Sequence, residues 1–208
     1  MKRLLVLLFL LLAVPVQADD GWQLRKEDPA RGIRVYLRDQ AGGQFQEVYG
    51  VTLLPGSVRQ VEAVLADIAA MPEWAPRVVR ARVLKRQASQ AWIHIEYKLP
   101  YPFKRREAVV LSRRSSDDSV VSIHSQAVPG WIRSRPDHIR LLELQSTWRL
   151  SPQPGGQVRV ELWGSGEPGG LVPAVLYNYN LADDALQTLR QLRRMAQRDK
   201  YLDARPGK

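Results

Sequence analysis

The chain has 208 residues, a formal net charge of +10 and no cysteine. Without cysteines it can hold neither a disulfide framework nor a cysteine-ligated metal ion. The excess of Lys and Arg favours acidic partners, among them the phosphates of a membrane surface.

The first 18 residues have the pattern of a secretory signal peptide. Lys2 and Arg3 form a positively charged start, and an apolar run of 13 residues follows from Leu4 to Val16. The small residue Ala18 then offers a cleavage site. We predict that residues 1–18 are removed and take no part in the folded domain.

The alternative interpretation of this segment is an uncleaved membrane anchor. Its 13 apolar residues fall short of the roughly 20 that span a bilayer as a helix, and Pro15 interrupts the end of the run. Cleavage leaves residues 19–208 as a single domain, with 29 of the 31 basic residues against 21 acidic ones. The predicted location is the periplasm of a bacterium with two membranes, and export argues against a nucleic-acid partner.

Strand-like and helical segments alternate along the rest of the chain. Gly42-Gly43 marks a turn between the first two predicted strands. Ser57 and Gln60 have the spacing of a capping box at the start of a helix, and Pro72 suits the first turn of a second, short helix. The predicted strands span residues 33–38, 45–54, 78–86, 91–99, 107–113, 119–126, 139–150 and 157–163.

Apolar and polar residues alternate within these strands, which is typical of antiparallel sheets with one buried face and one wet face. In the strand 91–99, the face predicted to be buried consists of Ile93, Ile95 and Tyr97. The face predicted to be wet consists of His94, Glu96 and Lys98.

The last predicted element is a long amphipathic helix over residues 172–199. Such a helix needs a large apolar surface against which to bury its stripe, and the buried face of the sheet is the surface available. The pattern therefore predicts an α+β fold in which the last helix lies on the sheet. The stripe consists of Val175, Tyr179, Ala182, Leu186, Leu189 and Ala196.

The order and spacing of several short motifs resemble those of the START (StAR-related lipid-transfer) domain family. The motifs are Trp22 with residues 32–36 (GIRVY), 72–74 (PEW), 106–107 (RE), 148–152 (WRLSP) and 167–174 (EPGGLVPA), and the resemblance covers about residues 22–195. It implies a helix-grip fold, in which a curved antiparallel sheet wraps a long C-terminal helix around an internal apolar cavity. The implied ligand is one lipid or sterol-like molecule, usually bound without catalysis. We also expect no cofactor, no metal ion and a monomeric protein.

Some members of this family meet a ligand hydroxyl with an acidic and a basic side chain inside the cavity. The acidic position corresponds to Glu96, but the alternation assigns Glu96 to the charged face of its strand. The basic position corresponds to Ser112, which carries no charge, although Arg113 is adjacent. We therefore expect Glu96 and Arg113 to be solvated surface charges rather than an internal pair.

Two groups of residues are candidates for ligand and membrane contact. The segment PYPFKRRE, residues 100–107, corresponds to a loop at the cavity mouth of START domains. Its alternative role is a turn stiffened by its prolines, with its aromatic rings packed on the core. The predicted cavity walls are Trp74, Ile93, Ile95, Tyr97, Trp148, Leu162 and Tyr177, and the predicted membrane-contact residues are Tyr101, Phe103, Lys104 and Arg105.

Catalytic motifs are weak in this sequence. Residues 164–169 (GSGEPG) satisfy G-x-G-x-x-G, but the following helix leads to no second strand, as a dinucleotide site would need. His94, His124 and His138 lie on separate segments without metal-ligand spacing. The alternatives to lipid binding are an enzyme of the same broad fold acting on a polyketide or aromatic substrate, and a non-catalytic envelope scaffold.

Overall fold

A computed structural model describes residues 21–202, so the predicted signal peptide lies outside the described residues. Ten strands form one sheet with the order β1-β2-β3-β10-β9-β7-β6-β5-β4, and β8 pairs with β6 beside this path. All pairings are antiparallel except that of β8 with β6. The strands are β1 Gln23–Asp28, β2 Ile33–Asp39, β3 Gln46–Pro55, β4 Val78–Gln87, β5 Gln90–Tyr97, β6 Arg105–Asp117, β7 Val120–Ala127, β8 His138–Arg140, β9 Leu144–Gln153 and β10 Gln157–Gly166.

Four α-helices accompany the sheet: α1 Val58–Ala66, α2 Met71–Trp74, α3 Ala174–Ala196 and α4 Asp199–Leu202. The predicted capping box at the start of α1 is confirmed. The Gln60 backbone N–H donates to Ser57 Oγ at 3.2 Å, and the Ser57 N–H donates to Gln60 Oε1 at 2.8 Å. One-turn 3-10 helices span Pro29–Arg31 and Ile68–Ala70. No helix within residues 21–202 is both long and apolar enough to cross a membrane.

The sequence did not predict β1, and it predicted β8 and β9 as one strand over residues 139–150. β1 has the sequence QLRKED, in which polar residues leave no alternation to detect, and it forms by pairing with β2. The chain breaks after Arg140 because β8 runs parallel to the start of β6, whereas β9 runs antiparallel to β7 and β10. One continuous strand cannot satisfy both pairings.

Helix α3 lies on the buried face of the sheet, as predicted, and Ala182, Leu186, Leu189 and Ala196 are all buried there. Gly50 of β3 permits a close approach, because a Cβ atom at this position would lie 2.9 Å from Leu189 Cδ1. The predicted stripe is wrong at its N-terminal end, where 83% of Val175 and 71% of Tyr179 are exposed. No described residue covers that part of the helix face.

The prediction of one wet face is wrong for β5 and the first half of β6, because both faces of these strands are buried. The inner face packs toward the core. The outer face lies beneath residues 128–140, which we call the covering segment. Its Arg135 and Arg140 bind the carboxylates of Glu96 and Glu107 on that outer face. The covering segment thus shields from solvent the outer face that strand alternation predicted to be exposed.

Candidate functional site

An inner cavity of about 240 Å³ lies between the buried face of the sheet, the α1–α2 region and α3. Six of the seven residues predicted as cavity walls line it: Trp74, Ile93, Ile95, Tyr97, Trp148 and Leu162. Trp74 and Trp148 meet edge to face with their ring centroids 6.0 Å apart. Which of these side chains contact a ligand remains a prediction.

The polar atoms of the cavity wall come from few residues. Ser112, Ser125, Ser146 and Thr188 line the cavity beside aliphatic and aromatic side chains. The described lining contains no Asp, Glu, Lys, Arg or His. Its walls therefore present hydroxyl groups but no formal charge.

A second pocket of about 180 Å³, the mouth pocket, lies between residues 97–106 and the start of α3. Tyr97 and Leu144 line both spaces, so the mouth pocket is adjacent to the inner cavity. Tyr177, the seventh predicted wall residue, lines the mouth pocket together with Phe103 and Leu176. The edge of Tyr177 meets the ring of Phe45 at 5.2 Å between centroids.

Two tyrosines of the mouth pocket are neutral across the physiological pH range. Burial raises the pKa of Tyr177 to about 12, helped by the nearby negative charges of Asp184 and Glu167. Burial also raises the pKa of Tyr97, with a further contribution from Tyr177. Both side chains thus act as uncharged walls with a hydroxyl group rather than as bases.

Arg106 links the two sides of the mouth pocket. Its guanidinium donates to the Pro168 carbonyl at 3.0 Å and to the Gly169 carbonyl at 2.9 Å, and also to the Lys104 carbonyl. Burial lowers the pKa of Arg106, but an arginine remains charged at neutral pH. The bonds hold the loop 98–104 against the segment that precedes α3.

The side chains predicted for membrane contact differ in their exposure. Tyr101 is 97% exposed, and Lys104 and Arg105 are exposed as well. Phe103 is half-buried and lines the mouth pocket, with the Arg106 guanidinium 6.0 Å from its ring centroid. Phe103 thus fits the alternative interpretation in which a ring of this segment packs on the protein.

Further apolar side chains are exposed on the opposite side of the mouth pocket. Leu171 is 95% exposed, and Val175 and Tyr179 follow on the first turns of α3. Their neighbours Val172 and Leu176 line the same pocket as Pro100 and Phe103. We call Tyr101, Lys104, Arg105, Leu171, Val175 and Tyr179 the rim.

The expectation that Glu96 is a solvated surface charge is wrong, whereas Arg113 is exposed as expected. Glu96 is only 5% exposed, and its Oε1 accepts a hydrogen bond of 3.0 Å from Arg135 Nη1 of the covering segment. This pair lies on the outer face of β5, whereas Ile93 and Ile95 face the cavity. The acidic position of the family therefore does not supply a charge to the cavity in this chain.

Glu107 is the most buried carboxylate of the outer face, with no exposed surface. It accepts hydrogen bonds from Arg140 Nη2 at 2.9 Å and from the Arg135 backbone N–H at 2.8 Å, and His94 Nε2 lies 2.7 Å away. Burial by itself would raise the pKa of Glu107, but these bonds and the Arg140 charge outweigh it and lower the pKa. Glu107 is thus an ionised structural group.

Residues 21–202 bring together no set of three or more His, Cys, Asp or Glu side chains that could hold a metal ion. The buried acidic and imidazole groups of β5 and β6 are engaged with the covering segment on the side away from the cavity. The geometry thus offers a hydrophobic binding space with a defined mouth.

A curved antiparallel sheet, closed by a long C-terminal helix over an apolar cavity, is the helix-grip fold of START domains. No protein-family model matches the chain. A crystal structure of a STAR-related lipid transfer protein from Xanthomonas axonopodis superposes with a TM-score of 0.80 and 27% identity, covering 86% of this chain and all of that one. The resemblance to START domains inferred from the sequence is confirmed.

Two further solved structures share the fold, and one curated protein is similar in sequence. Human STARD10 superposes with a TM-score of 0.78 at 15% identity, covering 88% of this chain and 76% of that one. An uncharacterized protein of Pseudomonas aeruginosa is 29% identical over 180 residues, covering 86% of this chain and 88% of its own length. The Zhui aromatase/cyclase of a Streptomyces species shares the fold more distantly, with a TM-score of 0.51 and 13% identity.

Proposed function

We propose that this protein binds one lipid or sterol-like molecule in the inner cavity and transfers it between membranes. The observation that carries the proposal is an apolar cavity that adjoins, at Tyr97 and Leu144, a mouth pocket surrounded by exposed apolar and basic side chains. Apolar walls with few polar groups are typical of sites for hydrophobic ligands. The StAR-related lipid transfer protein from Xanthomonas axonopodis supports the same ligand class.

The apolar wall supplies the free energy of binding. Transfer of hydrocarbon out of water gains about 0.8 kcal/mol per buried CH₂ group, so a chain of about twelve carbons gains roughly 10 kcal/mol before association costs. Association itself costs on the order of 4–15 kcal/mol. The binding free energy is thus favourable only for a ligand that fills most of the cavity, because a smaller ligand buries too little hydrocarbon to offset the cost of association.

The mouth pocket is the proposed route of entry. A ligand that passes from the mouth into the inner cavity must move past Tyr97, which lines both spaces. Opening this route separates the loop 98–104 from the segment before α3, which Arg106 joins by two hydrogen bonds to carbonyl groups. We propose that these two segments form the gate.

The rim is the proposed membrane-contact surface. Tyr101, Leu171 and Val175 would enter the headgroup region, where aromatic and apolar side chains are stabilised. Lys104 and Arg105 would meet anionic lipid phosphates, at about 1 kcal/mol for each basic residue near the surface. Contact with the membrane therefore occurs where the ligand enters.

We propose binding rather than catalysis. General acid–base chemistry needs a titratable side chain within hydrogen-bond reach of the substrate. The described lining of the inner cavity holds hydroxyl and indole N–H groups but no carboxylate, imidazole or basic side chain, and no hydrogen bond among the described residues joins its serines to a histidine or carboxylate. The distant likeness to an aromatase/cyclase concerns the fold alone.

The proposed setting is the periplasm, with the protein acting as a monomer and without a cofactor or nucleic-acid partner. The signal-like residues 1–18 support export, and the basic surplus of the chain supports contact with anionic lipid surfaces.

Native mass spectrometry of the protein purified gently from its own compartment tests the proposal. We expect a bound hydrophobic molecule, and we expect Ala75→Phe to lower its occupancy at least tenfold, because Ala75 lines the cavity and a ring there fills it. Ala41→Phe makes the same change at an exposed turn and should keep full occupancy. An empty protein that also takes up no added lipid would contradict the proposal, and a chemically altered ligand after incubation would favour an enzyme.

A further inference from the structure

Three serines line the inner cavity from neighbouring strands. Ser112 of β6 lies opposite Ser125 of β7, and Ser125 lies opposite Ser146 of β9. All three line the same cavity. Because directly opposed residues of antiparallel strands share one face with Cβ atoms about 4.5–5.5 Å apart, the three hydroxyls form a row across the cavity wall. We call it the serine row.

The hydroxyl groups of the serine row make no hydrogen bond that stabilises the described part of the fold. Within residues 21–202, no side-chain hydrogen bond joins Ser112, Ser125 or Ser146 to another residue, and all three are half-buried. Thr188 also lines the cavity but differs from the serines, because its hydroxyl donates to the Asp184 carbonyl at 2.8 Å. A hydroxyl offers one donor and two acceptor sites, and leaving it without a partner in an apolar space costs free energy.

In the described part of the chain, the charged side chains around the ligand route lie outside the inner cavity. Glu62, Arg86 and Arg114 line a neighbouring pocket that shares Ser112 with the cavity. Arg38 and Glu47 line another pocket, which shares Ser146 with it.

Arg77 and Arg106 line the mouth pocket and are absent from the described lining of the inner cavity. Arg77 bonds to Asp184 and, at 3.1 Å, to Asn180, while Arg106 bonds to backbone carbonyls. Arg114 and Arg38 of those neighbouring pockets are paired with Glu62 and Glu47. A carboxylate or phosphate inside the inner cavity would lose its water without meeting an opposite charge in the described lining, which is strongly unfavourable.

We propose that the inner cavity selects an uncharged amphiphile, whose hydroxyl or carbonyl group bonds to the serine row while its aliphatic or polycyclic body lies against the apolar walls. This inference rests on the proposed function and narrows its ligand class to neutral lipids, such as long-chain or polycyclic alcohols and esters. Serine hydroxyls both donate and accept, so they suit an alcohol as well as a carbonyl. Ionised fatty acids bind less well because their carboxylate finds no counter-charge there.

Three probes of equal chain length test the proposal: dodecane, 1-dodecanol and sodium dodecanoate at pH 8. Their affinities are measured by displacement of a fluorescent apolar dye from the protein without its signal peptide. We expect dodecanol to bind at least tenfold more tightly than dodecanoate. In the triple variant Ser112→Ala, Ser125→Ala, Ser146→Ala, the dodecanol affinity should fall at least tenfold, while the dodecane affinity changes less than twofold.

The matched control is Ser115→Ala, Ser122→Ala, Ser151→Ala. These serines lie on the same three strands but alternate onto the opposite face, so all three affinities should stay within twofold of the parent. If the triple variant of the serine row melts below the parent, Ser125→Ala alone carries the test, with an expected threefold loss for dodecanol and none for dodecane.

The failure of this inference and the failure of the proposed function give different results. If dodecane, dodecanol and dodecanoate bind equally well and the serine variants change nothing, the serine row has no role in selection, but the binding function stands. Tighter binding of dodecanoate than of dodecanol also overturns the inference alone. If no probe displaces the dye from the parent protein, the proposed function fails as well.

Discussion

At the scale of single residues, Glu107 shows how this fold accommodates a charge in its interior. Its carboxylate has no exposed surface and lies between His94, Arg140 and the backbone of Arg135. Removing one partner from a buried ionic group is far more costly than the net value of the pair, because the remaining charge stays uncompensated. Glu107, together with Glu96, therefore holds the covering segment on the sheet.

We predict that Glu107→Gln lowers the free energy of unfolding at pH 7 by about 3 kcal/mol, since Arg140 loses its buried counter-charge. The pH dependence follows from the lowered pKa of Glu107. A carboxylate whose pKa is lower in the folded state than in the unfolded state stabilises the protein at pH values above its unfolded-state pKa, which is near 4.3. This stabilisation is lost as the pH falls through the pKa of the folded state. Chemical denaturation at a series of pH values from 7 to 3 measures the free energy of unfolding of both proteins.

The loss of stability below pH 4 should thus be smaller in Glu107→Gln than in the parent protein. Asp118→Asn is the control, because it makes the same chemical change at an exposed turn. Equal pH dependence in the parent and in Glu107→Gln would show that another group controls acid unfolding.

At the scale of elements, α3 packs on the sheet and contributes Thr188 to the wall of the inner cavity. The helix covers the buried face of the sheet through side chains such as Leu186 and Leu189, and the missing side chain of Gly50 lets it approach β3 closely. The first turns of the same helix extend past the sheet and form one side of the mouth pocket. One element thus contributes both to the core and to the mouth pocket.

We predict that Leu186→Asp destabilises the protein by several kcal/mol or prevents folding, because it places an unpaired carboxylate in a site that is only 6% exposed. Gln187→Asp puts the same group on the next residue of α3, which is exposed, and should leave the thermal midpoint within a few degrees of the parent. Circular dichroism during heating measures both variants. An unchanged midpoint for Leu186→Asp would mean that this face of the helix is not buried.

At the scale of the whole molecule, the proposed ligand route and the basic and apolar side chains of the rim occur at the same end of the cavity. The rim combines Lys104 and Arg105 on one side with Leu171 and Val175 on the other. Electrostatic attraction acts at a distance and weakens with salt, whereas apolar insertion acts only on contact. The two contributions to membrane binding can therefore be separated by experiment.

We predict that Lys104→Gln with Arg105→Gln weakens binding to anionic vesicles at low salt by about 2 kcal/mol, roughly 30-fold, and slows lipid transfer. Neutral vesicles should show little change. Tyr101→Ser with Leu171→Ser should weaken binding to both kinds of vesicle. Vesicle sedimentation and a fluorescent-lipid transfer assay measure these effects.

The matched control for the charge variant is Arg59→Gln with Arg194→Gln. Arg194 lies in the last turn of α3 and Arg59 in the first turn of α1, and both are exposed. The start of α1 is close to the end of α3, because the Gln60 side chain donates to the Ala196 carbonyl. Removing them changes the net charge equally and should reduce vesicle binding much less. Equal effects of the two double variants would show that overall charge, rather than the rim, attracts the membrane.

The sequence by itself determined the class of fold and much of the cavity wall. Alternation on β5 and β10 and the helical period of α3 are local patterns, so residues such as Ile93, Ile95 and Leu162 were predicted on the inner face. The capping box of α1 is also a local signal, since its two residues lie three positions apart. Local patterns report which side of an element is apolar.

Only the tertiary structure decided what covers each face. Glu96 is buried because the covering segment, which lacks a regular pattern, crosses the outer face of β5. Val175 lies in line with the buried stripe by its position along the helix, but it is exposed because α3 extends past the sheet there. The serine row depends on the registers of β6 with β7 and of β7 with β9, which join Ser112 to Ser146 across 34 positions of sequence. Such contacts between distant residues leave no periodic signal in the chain, because they arise only when the strands pair.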